Sequence, residues 1–199
     1  DFIDISLATL KLILSKSRYN FVSIEEAFQA KPQDEANICL TFDDGFLSDY
    51  DLVLPELKNR NATATFFIVT DFLDTPGYLT TNQVRILSES GMQIGSHSKT
   101  HPNFFNLSLK EKMLELTDSK AILEKIIGKE VSTFSFPFGL YDDECADTVF
   151  SAGYSFCCTS KHGISSGLSF MVPRNSINAH MSPSRIEKIL RAGFSQRLR

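Results

Sequence analysis

Apolar runs of strand length alternate along the chain with stretches whose apolar positions fall on one helical face. Residues 5–15 place Leu7, Leu10, Ile13 and Leu14 on one side of a helix, an extended stretch follows at 20–23, and Ser23-Ile24-Glu25-Glu26 reads as a helix start. Residues 37–42, Asn-Ile-Cys-Leu-Thr-Phe, form an apolar run that stops at Asp43-Asp44-Gly45, a turn composition. The same reading predicts a helix over 48–59, a buried strand over 63–69, a helix over 81–90 and a short strand over 93–96 that ends at His97. A long amphipathic helix over 107–128 is closed by Gly128, and a strand over 132–136 follows it. A helix over 142–152 closed by Gly153, strands over 154–159 and 170–174, and a helix over 182–192 complete the pattern. Strands that alternate with helices predict a parallel sheet or barrel, with functional residues on the loops at the carboxyl ends of the strands. The polar clusters at Asp43-Asp44, at His97 to His101, after Pro137 and at Arg174 all fall on such loops.

Composition narrows the classes. With 199 residues, 42% of them hydrophobic, and no internal repeat or linker-like tract, the expectation is one α/β domain over residues 1–199. Twenty basic against 24 acidic side chains leave a net charge of −4, which argues against nucleic acid or an anionic membrane as partner. The most apolar N-terminal run, 5–14, is interrupted by Thr9 and Lys11 and is far short of the roughly 18 residues of a membrane span, so no transmembrane segment is expected. Cys39, Cys145, Cys157 and Cys158 form no C-x-x-C pair, and adjacent Cys157 and Cys158 are poorly placed to bond each other, which argues against a disulfide scaffold. Free thiols lean toward a reducing, cytoplasmic compartment, yet the chain begins at Asp1, not Met, so a removed signal or anchor leaves the compartment open. Oligomeric state is not readable.

Histidine is scarce: His97, His101, His162 and His180 are the whole supply. His97-Ser98-Lys99-Thr100-His101 puts two imidazoles four apart, a spacing that lets both reach one metal ion, although two surface histidines would look the same in isolation. A carboxylate as third ligand would leave positions open for water and substrate, as in catalytic sites, and Asp43 or Asp44 can supply it. Adjacent aspartates at a strand end point in different directions, so one can hold a metal while the other acts as a base. A plain Asp-Asp-Gly turn is the competing reading.

Taken in order, Thr41-Phe42-Asp43-Asp44-Gly45, His97-Ser98-Lys99-Thr100-His101 and Phe136-Pro137-Phe138-Gly139 resemble the polysaccharide deacetylase family, the NodB-homology carbohydrate esterases. The resemblance runs from about residue 38 to 174 and implies a distorted (β/α) barrel. It implies a divalent metal ion, most often zinc, held by Asp44, His97 and His101, with Asp43 as general base and Ser98 steadying the histidine loop. The backbone N–H of Phe138 is the implied oxyanion donor, since Pro137 has none to give. Two positions depart from the family pattern. Where many members carry an arginine shortly before the motif proline, this chain has Thr133-Phe134-Ser135-Phe136, and Arg174 is the natural substitute for holding the base. The late Leu-x-His setting of the general acid is not reproduced; His180 is the one candidate by position, ahead of His162. Cys157 and Cys158 read as packing, and no G-x-S-x-G elbow supports a serine hydrolase.

The function this implies is metal-dependent removal of N-acetyl groups from an amino sugar in a polysaccharide, oligosaccharide or glycan intermediate. The competing readings are a homologue that binds metal and glycan without turnover and, lower, another metal hydrolase using the same ligands. A short 71–78 segment suggests a fairly open groove around an N-acetylated carbohydrate substrate.

Overall fold

The computed structural model describes residues 5–29, 36–165 and 169–195. Six strands, β3 (Thr41–Phe42), β4 (Thr65–Ile68), β5 (Gln93–Ser96), β6 (Thr133–Ser135), β7 (Phe156–Cys158) and β8 (Met171–Val172), lie side by side in chain order and all run parallel. Parallel neighbours need crossovers, and helices α4 (Thr81–Glu89), α5 (Leu109–Ile127) and α6 (Asp143–Ser151) supply them between β4 and β7. A second sheet pairs β1 (Tyr19–Val22) with β2 (Ala36–Cys39), flanking α2 (Ile24–Gln29), while α1 (Leu7–Leu14) packs against the last helix, α7 (Pro183–Ser195).

The larger sheet curls. Phe67 of β4 packs with Cys158 of β7, Val172 of β8 and Ile24 of α2 in a small inner cluster, whereas its neighbour Phe66 joins the main core beneath the outer helices. Strands at opposite ends of the strand order thus share one interior, and the architecture is a distorted (β/α) barrel. Gly95 makes that curl possible: a Cβ there would lie 2.6 Å from both the Phe67 ring and Thr133 Oγ1. From below, Gln93 Oε1 accepts the Ile24 N–H at 3.1 Å and the Thr65 hydroxyl at 2.7 Å, which seats α2 under the barrel. The long α5 is fixed at its start by a capping box between Ser108 and Glu111 and stopped by Gly128 at φ +67°.

Two expectations change. The apolar run 37–42 is not one strand: β2 pairs with β1 and β3 pairs with β4, and the chain changes partner at Leu40, whose carbonyl accepts the Thr65 N–H at 3.0 Å. Hydrophobicity records burial on both sides of Leu40 but not which sheet provides it. The helix expected over 48–59 opens instead as a π-turn, Asp49–Val53, before α3 (Leu54–Lys58). Pro55 has no N–H to continue an α-helical ladder through the junction, and the Leu54 N–H reaches back to Asp49 O. All four cysteines are free thiols, with Cys157 and Cys158 buried in β7. No helix among the described residues is long and apolar enough to cross a membrane.

Candidate metal and catalytic site

The residues that follow β3, β5, β6 and β8 meet at one end of the barrel. Asp43 and Asp44 leave β3 in a tight turn in which Asp44 (φ +74°) and Gly45 (φ +77°) are both left-handed. His97 leaves β5 with its N–H bonded to Ile68 O at 2.9 Å, and its ring is buried. His97 Nδ1 lies 2.8 Å from the Ser135 carbonyl, which can only accept, so Nδ1 carries the proton and Nε2 presents a lone pair. That Nε2 is 3.3 Å from Asp44 Oδ1, and His101 Nε2 is 3.3 Å from the same oxygen. Ser98 (φ +70°) and His101 (φ +61°) are also left-handed, so the loop between the imidazoles turns tightly enough to bring both rings to one point, 4.9 Å apart.

These three side chains fit a divalent cation. Ligand atoms of Asp44, His97 and His101 all lie within 4.8 Å of one another. Asp44 Oδ1 is shielded from solvent and has no hydrogen-bond partner, although it faces a ring nitrogen lone pair. Lone pairs converging in a desolvated corner repel unless a positive charge lies between them, and two imidazoles with one carboxylate leave coordination positions open.

Beside this set, Asp43 is gripped by Arg174. Arg174 Nη1 donates to Asp43 Oδ1 at 2.7 Å and Nη2 to Oδ2 at 2.8 Å, a two-pronged pair that fixes the carboxylate plane. The guanidinium also donates to Ser135 Oγ at 2.8 Å, Thr41 Oγ1 at 3.2 Å and Thr159 O at 3.3 Å, and it lies over the Phe67 ring. Burial pushes the Asp43 carboxyl up, and the charge and hydrogen bonds of Arg174 pull it back down, keeping it below the usual range. Asp43 Oδ2 is 4.0 Å from His97 Nε2, so the gripped carboxylate borders the ligand set.

Phe138 sits in the turn Pro137–Gly139 after β6 at φ +59°, exposed to solvent, with its ring edge-on to His101 and centroids 4.6 Å apart. Its backbone N–H has no acceptor among the described residues. The structure therefore brings Asp43, Asp44, His97, His101, Arg174 and Phe138 into one site. His180 is exposed in the turn ahead of α7, its backbone N–H bonded to Asn178 Oδ1 at 3.1 Å, and it is not among the converging ligands; His162 is exposed too. Sequence reasoning missed Thr41 and Ser135, whose hydroxyls complete the cradle of Arg174; Thr41 opens a motif segment and Ser135 immediately precedes another, but a hydroxyl carries no spacing signal of its own.

The sequence model described as Polysaccharide deacetylase matches residues 30–157, close to two thirds of the chain. The chain belongs to the polysaccharide deacetylase family. Among curated relatives, the peptidoglycan-N-acetylmuramic acid deacetylase PdaC of Bacillus subtilis is 31% identical over 144 residues, 72% of this chain and 30% of PdaC. The peptidoglycan-N-acetylglucosamine deacetylase PgdA of Listeria monocytogenes is 29% identical over 149 residues, 74% of this chain and 31% of PgdA. The matched stretch spans half or less of the curated relatives. Among solved structures, the Streptococcus pyogenes deacetylase PplD, in complex with acetate, superposes with a TM-score of 0.85 at 26% identity, covering 93% of this chain and 87% of PplD. Family membership and fold agree with the reading of the three motif segments.

Proposed function

We propose that the chain is a metal-dependent N-deacetylase that hydrolyses the acetamide of an amino sugar within a glycan. The observation that carries this is the convergence of Asp44, His97 and His101 beside an Asp43 carboxylate that Arg174 holds ionised and in plane. A divalent ion such as zinc, held by those three side chains, would lower the pKa of a coordinated water from near 15.7 toward about 7 and polarise the acetamide carbonyl. Asp43 takes the proton of the attacking water at Oδ2, the oxygen nearer His97. Arg174 keeps Asp43 from rotating and from taking that proton too early. The Phe138 N–H donates to the oxygen that becomes negative as the carbonyl carbon turns tetrahedral. Collapse breaks the C–N bond, and a proton passes to the leaving nitrogen, from Asp43 or from His180, to give acetate and a free amine.

The names of PdaC and PgdA support an N-acetylated sugar of peptidoglycan as substrate class, one through N-acetylmuramic acid and the other through N-acetylglucosamine. Acetate release by the zinc-loaded protein from N-acetylglucosamine oligomers and from peptidoglycan fragments tests the proposal. Release in the wild type, its loss in Asp43→Asn and its retention in His180→Ala would support Asp43 as the group that both takes and returns the proton. Loss in His180→Ala would assign the second transfer to His180. The exposure of His180 favours one other reading, a homologue that binds metal and glycan without turnover, and zinc binding with no acetate from any acetylated glycan would establish it.

A further inference from the structure

Every backbone N–H from Ser98 to His101 donates to a side-chain oxygen. Ser98 N–H reaches Ser96 Oγ at 3.2 Å, Lys99 and Thr100 N–H both reach Glu115 Oε2 at 2.9 and 2.8 Å, and His101 N–H reaches Ser98 Oγ at 3.0 Å. The Thr100 hydroxyl adds a bond to Glu115 Oε1 at 2.8 Å. Successive N–H groups after a left-handed residue form a concave nest that suits an anion, and here the Glu115 carboxylate fills it with both oxygens engaged. The opposite side of the loop is tied as well: Thr70 N–H donates to Ser98 O at 3.3 Å and Asp71 N–H to Lys99 O at 2.9 Å.

Glu115 lies on α5, which the metal ligands do not touch by sequence. The helix is anchored to β5 next to His97, because Ser119 Oγ and Ser96 Oγ are 2.7 Å apart and both residues are fully buried. The two imidazoles differ in what holds them. His97 is fixed by β5 and by Ser135 O, whereas the His101 ring, apart from the approach to Asp44 that it shares with His97, meets its neighbours only through ring contacts with His97, Phe138 and Phe72, so its place depends on the loop that carries it.

We propose that Glu115 is a positioning residue that sets the His97–His101 separation before any ion arrives, so that metal affinity depends on a carboxylate that never touches the ion. The proposal rests on the metal-site reading of Asp44, His97 and His101. Glu115→Ala removes the anchor, Glu115→Asp withdraws the carboxylate by one methylene, and Glu115→Gln keeps the length and one acceptor oxygen. Zinc affinity, measured by competition with a chromophoric chelator, should fall by roughly 10–100-fold in Glu115→Ala and at least about 10-fold in Glu115→Asp, while Glu115→Gln stays within about threefold. The cobalt(II) absorption spectrum should change in the first two variants and not in the third. Wild-type affinity and spectrum in Glu115→Ala, folded by circular dichroism, would overturn the proposal. If that variant does not fold, Glu115→Asp decides on the same terms, and an equal loss in Glu115→Gln would also overturn it, because charge and not reach would then be responsible. A wild-type protein that binds no zinc would overturn the metal-site reading itself, and Asp44→Ala provides the comparison for that outcome.

Discussion

Arg174 and Asp43 join the two ends of the barrel's strand order. Asp43 follows β3 and Arg174 follows β8, and the two hydrogen bonds between them, at 2.7 and 2.8 Å, bring together strands that make no backbone ladder with each other. One ion pair thus closes the curl of the sheet and holds the candidate base.

Removing either half should cost both stability and turnover. Arg174→Met leaves a part-buried carboxylate with only the weak Ser135 bond at 3.3 Å, and a loss of about 2–3 kcal/mol is expected, below the range for fully buried pairs because both side chains keep some solvent contact. Arg174→Lys keeps the charge but not the fork, so it should recover part of the stability and little of the acetate release. Urea denaturation of the metal-free protein, alongside acetate assays, checks both.

Zinc should stabilise the fold through Asp44, His97 and His101. At a free ion concentration roughly 100-fold above the dissociation constant, the linkage contributes about 2.7 kcal/mol, or a rise in melting temperature of about 5–10 °C for a chain of this size. A chelator should reverse the rise, and Asp44→Ala and His101→Ala should show none of it. An equal rise in those variants would assign the ion to other groups.

Asp49 should behave as a buried acid. It is 4% exposed, its Oδ2 has no partner, and burial first, with the negative charges of Asp43 and Asp44 second, pushes its carboxyl well above the usual range. The folded chain therefore keeps a proton that the unfolded chain releases above its ordinary value of 3.8, so this group's contribution to stability falls as pH rises from there toward the folded value. In metal-free protein, Asp49→Asn should melt a few degrees higher than wild type at neutral pH, and the gap should narrow toward pH 4. Melting curves across that pH span are the check.

Gly95→Ala should be costly. The added Cβ would lie 2.6 Å from the Phe67 ring and from Thr133 Oγ1, inside a packed barrel, and overpacking of this kind costs about 1–3 kcal/mol. Because β5 leads directly into His97, zinc affinity should fall along with the midpoint of denaturation.

Much of this was legible from residue order. Alternating runs placed the strands that end at Asp43, His97 and Pro137, and the H-x-x-x-H and Asp-Asp-Gly segments identified the side chains that now meet. Arg174 follows from the resemblance: many family members carry an arginine shortly before the motif proline, this chain has none there, and Arg174 is the natural substitute. What stayed hidden depends on three-dimensional register. The change of sheet at Leu40 leaves no mark on an apolar run, and in the sequence Glu115 is one more charge on an amphipathic helix, its bonds to the loop from Ser98 to Thr100 depending on how α5 packs. The left-handed turn at Phe138 was equally silent, because phenylalanine gives no sign of a conformation that glycine would advertise.

Distance along the chain also sets an order of events during synthesis. Asp43 and Arg174 are 131 residues apart, which at about 5–20 residues per second is roughly 7–26 s on the ribosome. The candidate ligands, Asp44, His97 and His101, are all made before the residue that grips the candidate base. A chain cut just before Arg174 would therefore carry all three candidate ligands and lack the anchor of the candidate base.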